Sequence, residues 1–386
     1  MLKYKTKFSI GELADFRKSD RREDLQREKI QGYPLYGPNL LVKHIESFDI
    51  EQKSIGFVKW GASAGKIIKL PEKSSVVWTM GYLIPKTNLV DPDYLYYLLS
   101  NFNFTPFIAK STVQNLYFEE FKDQNLFVHE MKDQKKIGAF LSAIDRLIDN
   151  ESKKETLLSN NYKRLTGLIF ANNNSIANLP KLRFPTYKSP WRTHKFEEIG
   201  SLKKGKLLGK SDLSELGKPC ILYGELYTIY SKSPIIDEVF SKTNVNKEQL
   251  LIGNKFDVLI PSSGETKEDI SSAVCLNVSN TLIGGDLNLI RPTKEIRGGF
   301  LAYLIRGPLK NKIAKLAQGN SVVHLNYPQL KKIIFTAPEI SEQDHIVNLL
   351  YKYDRLKRLI NQRTQSYIRF KKALIQKLFA NKEGNL

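Results

Sequence analysis

Asp133 to Asn172 reads DQKKIGAFLSAIDRLIDNESKKETLLSNNYKRLTGLIFAN, and Glu342 to Asn381 reads EQDHIVNLLYKYDRLKRLINQRTQSYIRFKKALIQKLFAN. The blocks align without a gap at an offset of 209. Eleven of the 40 aligned positions are identical: Gln134, Ile137, Leu141, Asp145, Arg146, Leu147, Lys163, Leu165, Phe170, Ala171 and Asn172. The shared Asp-Arg-Leu and Phe-Ala-Asn triplets in one register mark an internal repeat.

Neither block contains proline, and Gly138 and Gly167 are their only glycines. In the first, Ile137, Leu141, Ile144, Ile148, Leu158, Tyr162, Leu165 and Ile169 fall at helical spacing, with Glu151 and Glu155 breaking the middle. In the second, Ile346, Leu349, Tyr353, Leu356, Ile360, Tyr367, Phe370, Leu374 and Leu378 alternate three- and four-residue steps, interrupted by Arg363. Such steps are the seam of a coiled coil. Two helices of ~60 Å are predicted, pairing antiparallel through Ile137, Leu141, Ile144, Leu165, Ile346, Leu349, Tyr353 and Leu374.

Working outward, the segments before each helix echo one another in the same order. Lys7–Gly11 loosely matches Phe196–Gly200, and Pro34-Leu35-Tyr36-Gly37 matches Ile221-Leu222-Tyr223-Gly224. The strand and turn Gly56–Gly65 corresponds to Asp257–Gly264, Tyr82–Pro85 to Leu289–Pro292, and the short helix Tyr94–Ser100 to Phe300–Arg306. A polar loop follows in each half, Ser111–Tyr117 and Asn320–Tyr327. The expected fold is α+β: two similar mixed α/β domains, each followed by a long helix, repeated about a pseudo-two-fold axis. The boundaries read as 1–132 and 191–337 for the domains, 133–172 and 338–386 for the helices, and 173–190 for a linker that frees the second domain from the first helix.

With 386 residues the chain can bury two cores. Lys and Arg outnumber Asp and Glu 60 to 40, a net charge of +20, while 41% hydrophobic and 11% aromatic residues exclude a disordered basic tail. A folded basic protein favours a polyanionic partner, nucleic acid before membrane. Cys220 and Cys275 sit in apolar stretches and read as buried thiols of a reducing cytoplasm. No signal peptide or membrane-length apolar run is visible, so a cytoplasmic protein is expected.

The layout resembles the specificity subunit of type I restriction-modification systems. It does so through two domains separated by helical spacers, the openings Gln134-x-x-Ile137 and Gln343-x-x-Ile346, the centres Ile144-Asp145-Arg146 and Tyr353-Asp354-Arg355, and the ends Leu165-x-x-x-x-Phe170 and Leu374-x-x-x-x-Phe379. Pro338 stands where the family has a proline before the second spacer, whereas the first half has Val128-His129-Glu130. The resemblance implies a non-catalytic subunit whose target-recognition domains read a bipartite double-stranded DNA target, with the helices fixing the unread spacing. It also implies two methyltransferase subunits, which modify adenine with S-adenosylmethionine, and restriction/translocase subunits. No cofactor or metal is expected in this chain. The competing readings are a self-contained nuclease and a DNA-binding scaffold without a methyltransferase.

Affinity is expected from lysine and arginine on phosphates, and sequence choice from amide, hydroxyl and guanidinium groups on base edges. In the first domain the candidates are Arg21, Lys59, Ser63, Lys66, Gln114, Asn115 and Tyr117, with Arg17 and Arg22 in support. In the second they are Lys204, Lys206, Ser262, Ser263, Lys267, Asn320, His324 and Asn326, with Lys203 and Lys210. Trp60 reads as a core residue before a DNA wedge. Three catalytic look-alikes fail. Gly61–Lys66 is one residue short of a phosphate loop. Asp93 with Glu120 and Lys122 lacks a counterpart in the second half. No Pro-Pro dipeptide exists for an adenine methyltransferase loop.

Overall fold

The computed structural model describes residues 6–109, 113–170, 179–246, 248–319, 323–325 and 327–379. They form two compact units, 1–152 with 363–386, and 153–362. Each unit thus combines a domain with the near end of one long helix and the far end of the other.

In the first unit, strands Ala14–Lys18, Met80–Pro85, Ser54–Val58 and Ile67–Leu70 form an antiparallel sheet in that order. A three-stranded sheet of Leu40–Ile45, Tyr33–Gly37 and Ser75–Val76 lies beside it in the topology. In the second unit, Gly200–Lys204, Leu287–Pro292, Val258–Pro261 and Val274–Leu276 repeat the antiparallel order, with Ile235–Ile236 added in parallel. Ala14 faces Pro85 as Gly200 faces Pro292, and Val58 faces Met80 as Pro261 faces Leu287. The two sheets are one design.

Each domain closes with a two-stranded ribbon, Thr6–Ser9 on Asn125–Val128 and Arg192–Lys195 on Ile334–Ala337. These ribbons correct one echo: Lys7 corresponds to Thr193 rather than Phe196. The buried pair Ile10 and Leu13 therefore corresponds to Phe196 and Ile199, also buried. After the ribbons run the long helices, Met131–Ile169 and Ile340–Leu378. Adding 209 to both bounds of the first gives both bounds of the second.

The first helix buries the stripe that its periodicity predicts. Ile137, Leu141 and Ile144 are buried, Ile148, Leu158, Tyr162 and Leu165 half-buried, and Glu151 is 5% exposed within the same stripe. The second helix corrects its expectation. Leu356 and Phe370 are exposed, and Leu349 is half-buried against the domain core. The inward positions are Ile346, Leu350, Tyr353, Lys357, Ile360, Thr364, Tyr367, Lys371, Leu374 and Leu378. This track is the first helix's stripe moved by 209, and its polar members have partners. Lys371 pairs with Asp145, Lys357 lies over the Tyr162 ring, and Thr364 is also satisfied.

Within the first unit the helix segments run antiparallel, since Lys371 meets Asp145 whereas Arg363 meets Glu151 at 3.6 Å. In the second unit Tyr162 meets Tyr353, ring centroids 6.1 Å apart. The two terminal phenylalanines of the repeat have one job. Phe379 enters the first core against Tyr94, and Phe170 enters the second against Phe300.

The paired openings are explained by hydrogen bonds. Gln134, 2% exposed, donates to the carbonyls of Leu89 and His129 and accepts from the Asp91 amide. Gln343, fully buried, donates to Glu295 and Pro338 and accepts from the Arg297 amide. Each glutamine satisfies three backbone groups where a long helix meets the loop before a short helix, Pro92–Ser100 or Gly298–Arg306.

The described part of the linker, 179–190, is not free as expected. The Leu182 amide donates to Leu168, and Arg183 forks onto Glu342 at 2.8 and 2.7 Å. Glu342 is 1% exposed, so this pair neutralises a buried charge. Residues 173–178 lie outside the described residues. Cys220 and Cys275 are buried free thiols, pushed up by burial to about 11 and about 12.

Candidate nucleic-acid interface

The site is built where one end of each sheet meets the segment that precedes the closing ribbon. Beyond Val58, the Lys59 amide donates to Thr79 and the Lys59 carbonyl accepts from Leu116, at 2.9 and 2.8 Å. Beyond Pro261, the Ser262 amide donates to Asp286 and its carbonyl accepts from Leu325, at 2.8 and 2.9 Å. One residue on, Trp60 bridges Asn115 as Ser263 pairs with His324. The same backbone frame therefore carries Lys59, Trp60, Trp78 and Asn115 in the first domain, and Ser262, Ser263, Gly285 and His324 in the second. Leu116 and Leu325 are fully buried and anchor it.

In the first domain the frame brings Lys59, Gln114, Asn115 and Tyr117 together. Gln114 and Tyr117 are exposed, and Lys59 and Asn115 half-buried. Burial pulls the Lys59 ammonium below the usual lysine range, nearby Asp20 pulling it back. Ser63 and Lys66 are exposed on the turn that follows, which Gly61 and Gly65 close at φ of +95° and +86°. A strand, Ile67–Leu70, leaves this turn. A phosphate loop requires a helix there. The Lys66 ammonium donates to the Pro38 carbonyl at 2.7 Å.

Arg21 does not belong with this set. Its guanidinium is committed to Asp49, with Nη2 to Oδ1 at 2.6 Å, and to Ser47 and Gln26. Arg22 faces Asp24 at 3.2 Å, and Arg17 is exposed on its strand. Trp60 overturns its expectation, being 36% exposed rather than in the core. Two residues that sequence reasoning omitted also stand here. Trp78 is 47% exposed, and Lys18 is close enough to Lys59 to depress its basicity. The lysine had one available signal, since its counterpart across the repeat is Lys204. Trp78 precedes a buried strand and gave none.

In the second domain Lys203, Lys204, Lys206, Lys210, Lys267 and His324 are exposed. Ser262 and Ser263 correct the expectation, at 3% and 5% exposed. Ser263 Oγ lies 3.0 Å from His324 Nδ1 and orients that ring, while Ser262 Oγ has no hydrogen-bond partner among the described residues. Asn320 and Asn326 lie outside the described residues.

The nuclease look-alike is also resolved. Asp93 is held by Lys53 at 3.2 Å and Lys69 at 3.0 Å, and Lys122 pairs with its neighbour Glu119. Among the described residues no group of three or more His, Cys, Asp or Glu side chains converges on a metal position, and no helix is long and apolar enough to cross a membrane.

Comparison with known proteins agrees with this duplicated frame. Among solved structures, the S subunit of a type I restriction-modification system from M. genitalium superposes with a TM-score of 0.70 at 17% identity, covering 97% of this chain and 96% of that one. A chain from a structure concerned with complex assembly and conformational transition of the type I R-M system gives 0.51 at 14% identity, covering 99% and 98%. In sequence, a protein of Methanocaldococcus jannaschii, provisionally named the specificity subunit of the type I restriction enzyme MjaX, is 24% identical over 212 residues. That match takes in 52% of this chain and 48% of the relative, so it spans about half the relative's length. The model of the type I restriction modification DNA specificity domain matches twice, over residues 3–160 and 188–366, and the chain belongs to that family.

Proposed function

We propose that this chain is the DNA-reading subunit of a type I restriction-modification system and carries no catalytic centre. Each domain reads one half of a bipartite duplex target through the end of its sheet. The observation that supports this most is the single backbone frame that presents Lys59, Trp60 and Asn115 in one domain and, above the buried Ser262 and Ser263, His324 in the other. Two readers of one fold with unlike side chains suit two unlike half-sites. Exposed Lys18, Lys66, Lys204, Lys206 and Lys267 supply phosphate contacts.

In this reading two methyltransferase subunits bind the chain and modify an adenine in each half-site with S-adenosylmethionine, restriction/translocase subunits complete the assembly, and the complex works in the cytoplasm. The two 39-residue helices act as the ruler for the unread spacing. A DNA-binding scaffold without a methyltransferase is the alternative that co-purification separates.

Mapping modified adenines across the host genome with and without this gene tests the proposal. A two-part motif that disappears with the gene is expected, and an unchanged pattern overturns it. Purified protein should also lose duplex affinity steeply as salt rises. Four residues added to the first helix should alter the spacing between half-sites and leave both half-site sequences intact.

A further inference from the structure

Three aromatic side chains stand together at the reading end of the first domain, and all three are open to solvent. Trp60, Trp78 and Tyr117 are 36%, 47% and 46% exposed. Trp60 lies 6.3 Å from each of the others, at interplanar angles of 46° to Trp78 and 82° to Tyr117. Neither contact is a parallel stack, and the rings' exposure leaves their faces available to a flat partner. An apolar cluster of this size on a surface signals an interaction.

Charge selects the partner. Lys59 precedes Trp60 in the chain, Lys18 stands beside Lys59, and exposed Lys66 closes the adjoining turn. Flat rings set among cations match the faces of nucleobases flanked by phosphates. The second domain supplies the control. On its equivalent backbone Trp60 becomes Ser263 and Trp78 becomes Gly285, and the hydrogen bonds of the frame are unchanged.

We infer that the first domain holds its half-site by stacking Trp60, Trp78 and Tyr117 on bases it unstacks from the duplex, whereas the second domain reads its half-site with the stack intact. This rests on the proposed DNA-reading role. It places the deformation made by this chain itself, before any methyltransferase extrudes its target adenine, and a preference for easily unstacked steps such as TA or CA, in one half-site alone.

The full chain tests this without substitution, because its third tryptophan, Trp191, is 3% exposed in the second core and nearly silent to acrylamide. With a labelled duplex carrying the mapped target, binding is followed by anisotropy and tryptophan accessibility by acrylamide quenching. The expected result is strong protection of the exposed tryptophans on binding, with permanganate-reactive thymines in one half-site only. Trp60→Ala and Trp78→Ala should each weaken binding about tenfold without lowering the melting temperature. Binding with unchanged quenching and wild-type affinity in both variants overturns the inference and leaves the reading role standing. Protection by the methyltransferase subunit in the absence of DNA also overturns it, since the patch would then be a protein interface. A wild-type chain that binds no duplex defeats the reading role, and the inference with it.

Discussion

Asp145 and Asp354 occupy the same place in the repeat and live in opposite electrostatic conditions. Each accepts a hydrogen bond from a tyrosine on the domain's short helix, Tyr97 at 2.5 Å and Tyr303 at 2.7 Å. Around Asp145 stand two cations, Lys371 in direct contact and Lys69 at 4.0 Å. The corresponding positions around Asp354 are Tyr162 and Cys275. Asp354 is 3% exposed, and burial raises its carboxyl to about 6 against the weaker pull of the Tyr303 hydroxyl and of Lys357, Arg306 and Arg358. Arg306 helps only at a distance, because its guanidinium hydrogen bonds go to the carbonyls of Ala273, Ser231 and Tyr230. Burial brings its own basicity down to about 10. A shared aspartate thus marks a shared position rather than a shared interaction, and its energetic sign depends on what the opposing helix brings.

The largest expected effect concerns what the halves have in common. Gln134→Ala and Gln343→Ala should each cost about 3 kcal/mol, since each leaves three backbone groups without partners. Unfolding followed through Trp191 for the second unit and through Trp60 and Trp78 for the first should give similar losses. A loss in only one unit breaks the equivalence.

Next come the aspartates themselves, with opposite signs. Folded, Asp354 keeps its proton up to about pH 6, whereas the unfolded group releases it near ~4. The folded state binds more protons between those values. Stability from this group is therefore greatest below about pH 4, falls as pH rises through 6, and is lower by about 3 kcal/mol beyond it. Asp354→Asn should recover most of that at pH 8 and flatten the profile. Asp145→Asn should instead lose about 2 kcal/mol at neutral pH, because Lys371 loses its counter-charge and Lys69 keeps only Asp93. Denaturant melts at pH 5 and pH 8 read both, and equal signs at pH 8 would refute the contrast.

The smallest effect sharpens the cause. Tyr162→Lys places an ammonium where the other half has Lys371, and it should bring Asp354 toward the ordinary carboxylate range. About 1 kcal/mol of the pH-dependent loss should disappear, visible as a lower midpoint in the same melts. An unmoved midpoint would mean that solvent, not the missing cation, sets Asp354.

These contrasts also show what a sequence reveals. The existence and register of the two helices were legible because the repeat needs only identity at a fixed offset, although they were read as 133–172 and 338–386 and run Met131–Ile169 and Ile340–Leu378. The first stripe was legible because its inward residues are mostly apolar. The second was misread at Leu356 and Phe370 because its true track contains Lys357, Thr364 and Lys371, and periodicity cannot see a polar residue whose partner lies on another helix. At the sheet ends, the described parts of the two polar loops, 113–117 and 323–325, hold short strands, Asn115–Leu116 and Val323–His324. The burial of Ser262 and Ser263, the engagement of Arg21 by Asp49 and the exposure of Trp78 depend on neighbours distant in the chain, and residue type does not report them.

Gly138 and Gly299 complete the account of the repeat. A methyl group on Gly138 would come within 2.7 Å of Asp91 Oδ1 and 3.2 Å of Asp93 Cβ, and one on Gly299 within 2.9 Å of Val347. Val347 is the counterpart of Gly138, and Gly299 that of Asp93, so the small residue has changed sides of one contact. For anyone building hybrids, the domains are keyed to the start of their own helices. A second domain grafted before Gly138 would leave a void, and a first domain grafted before Val347 would collide with it. A recombination joint that keeps specificity modular has to fall beyond these positions, inside the helix, where each lock travels with its key.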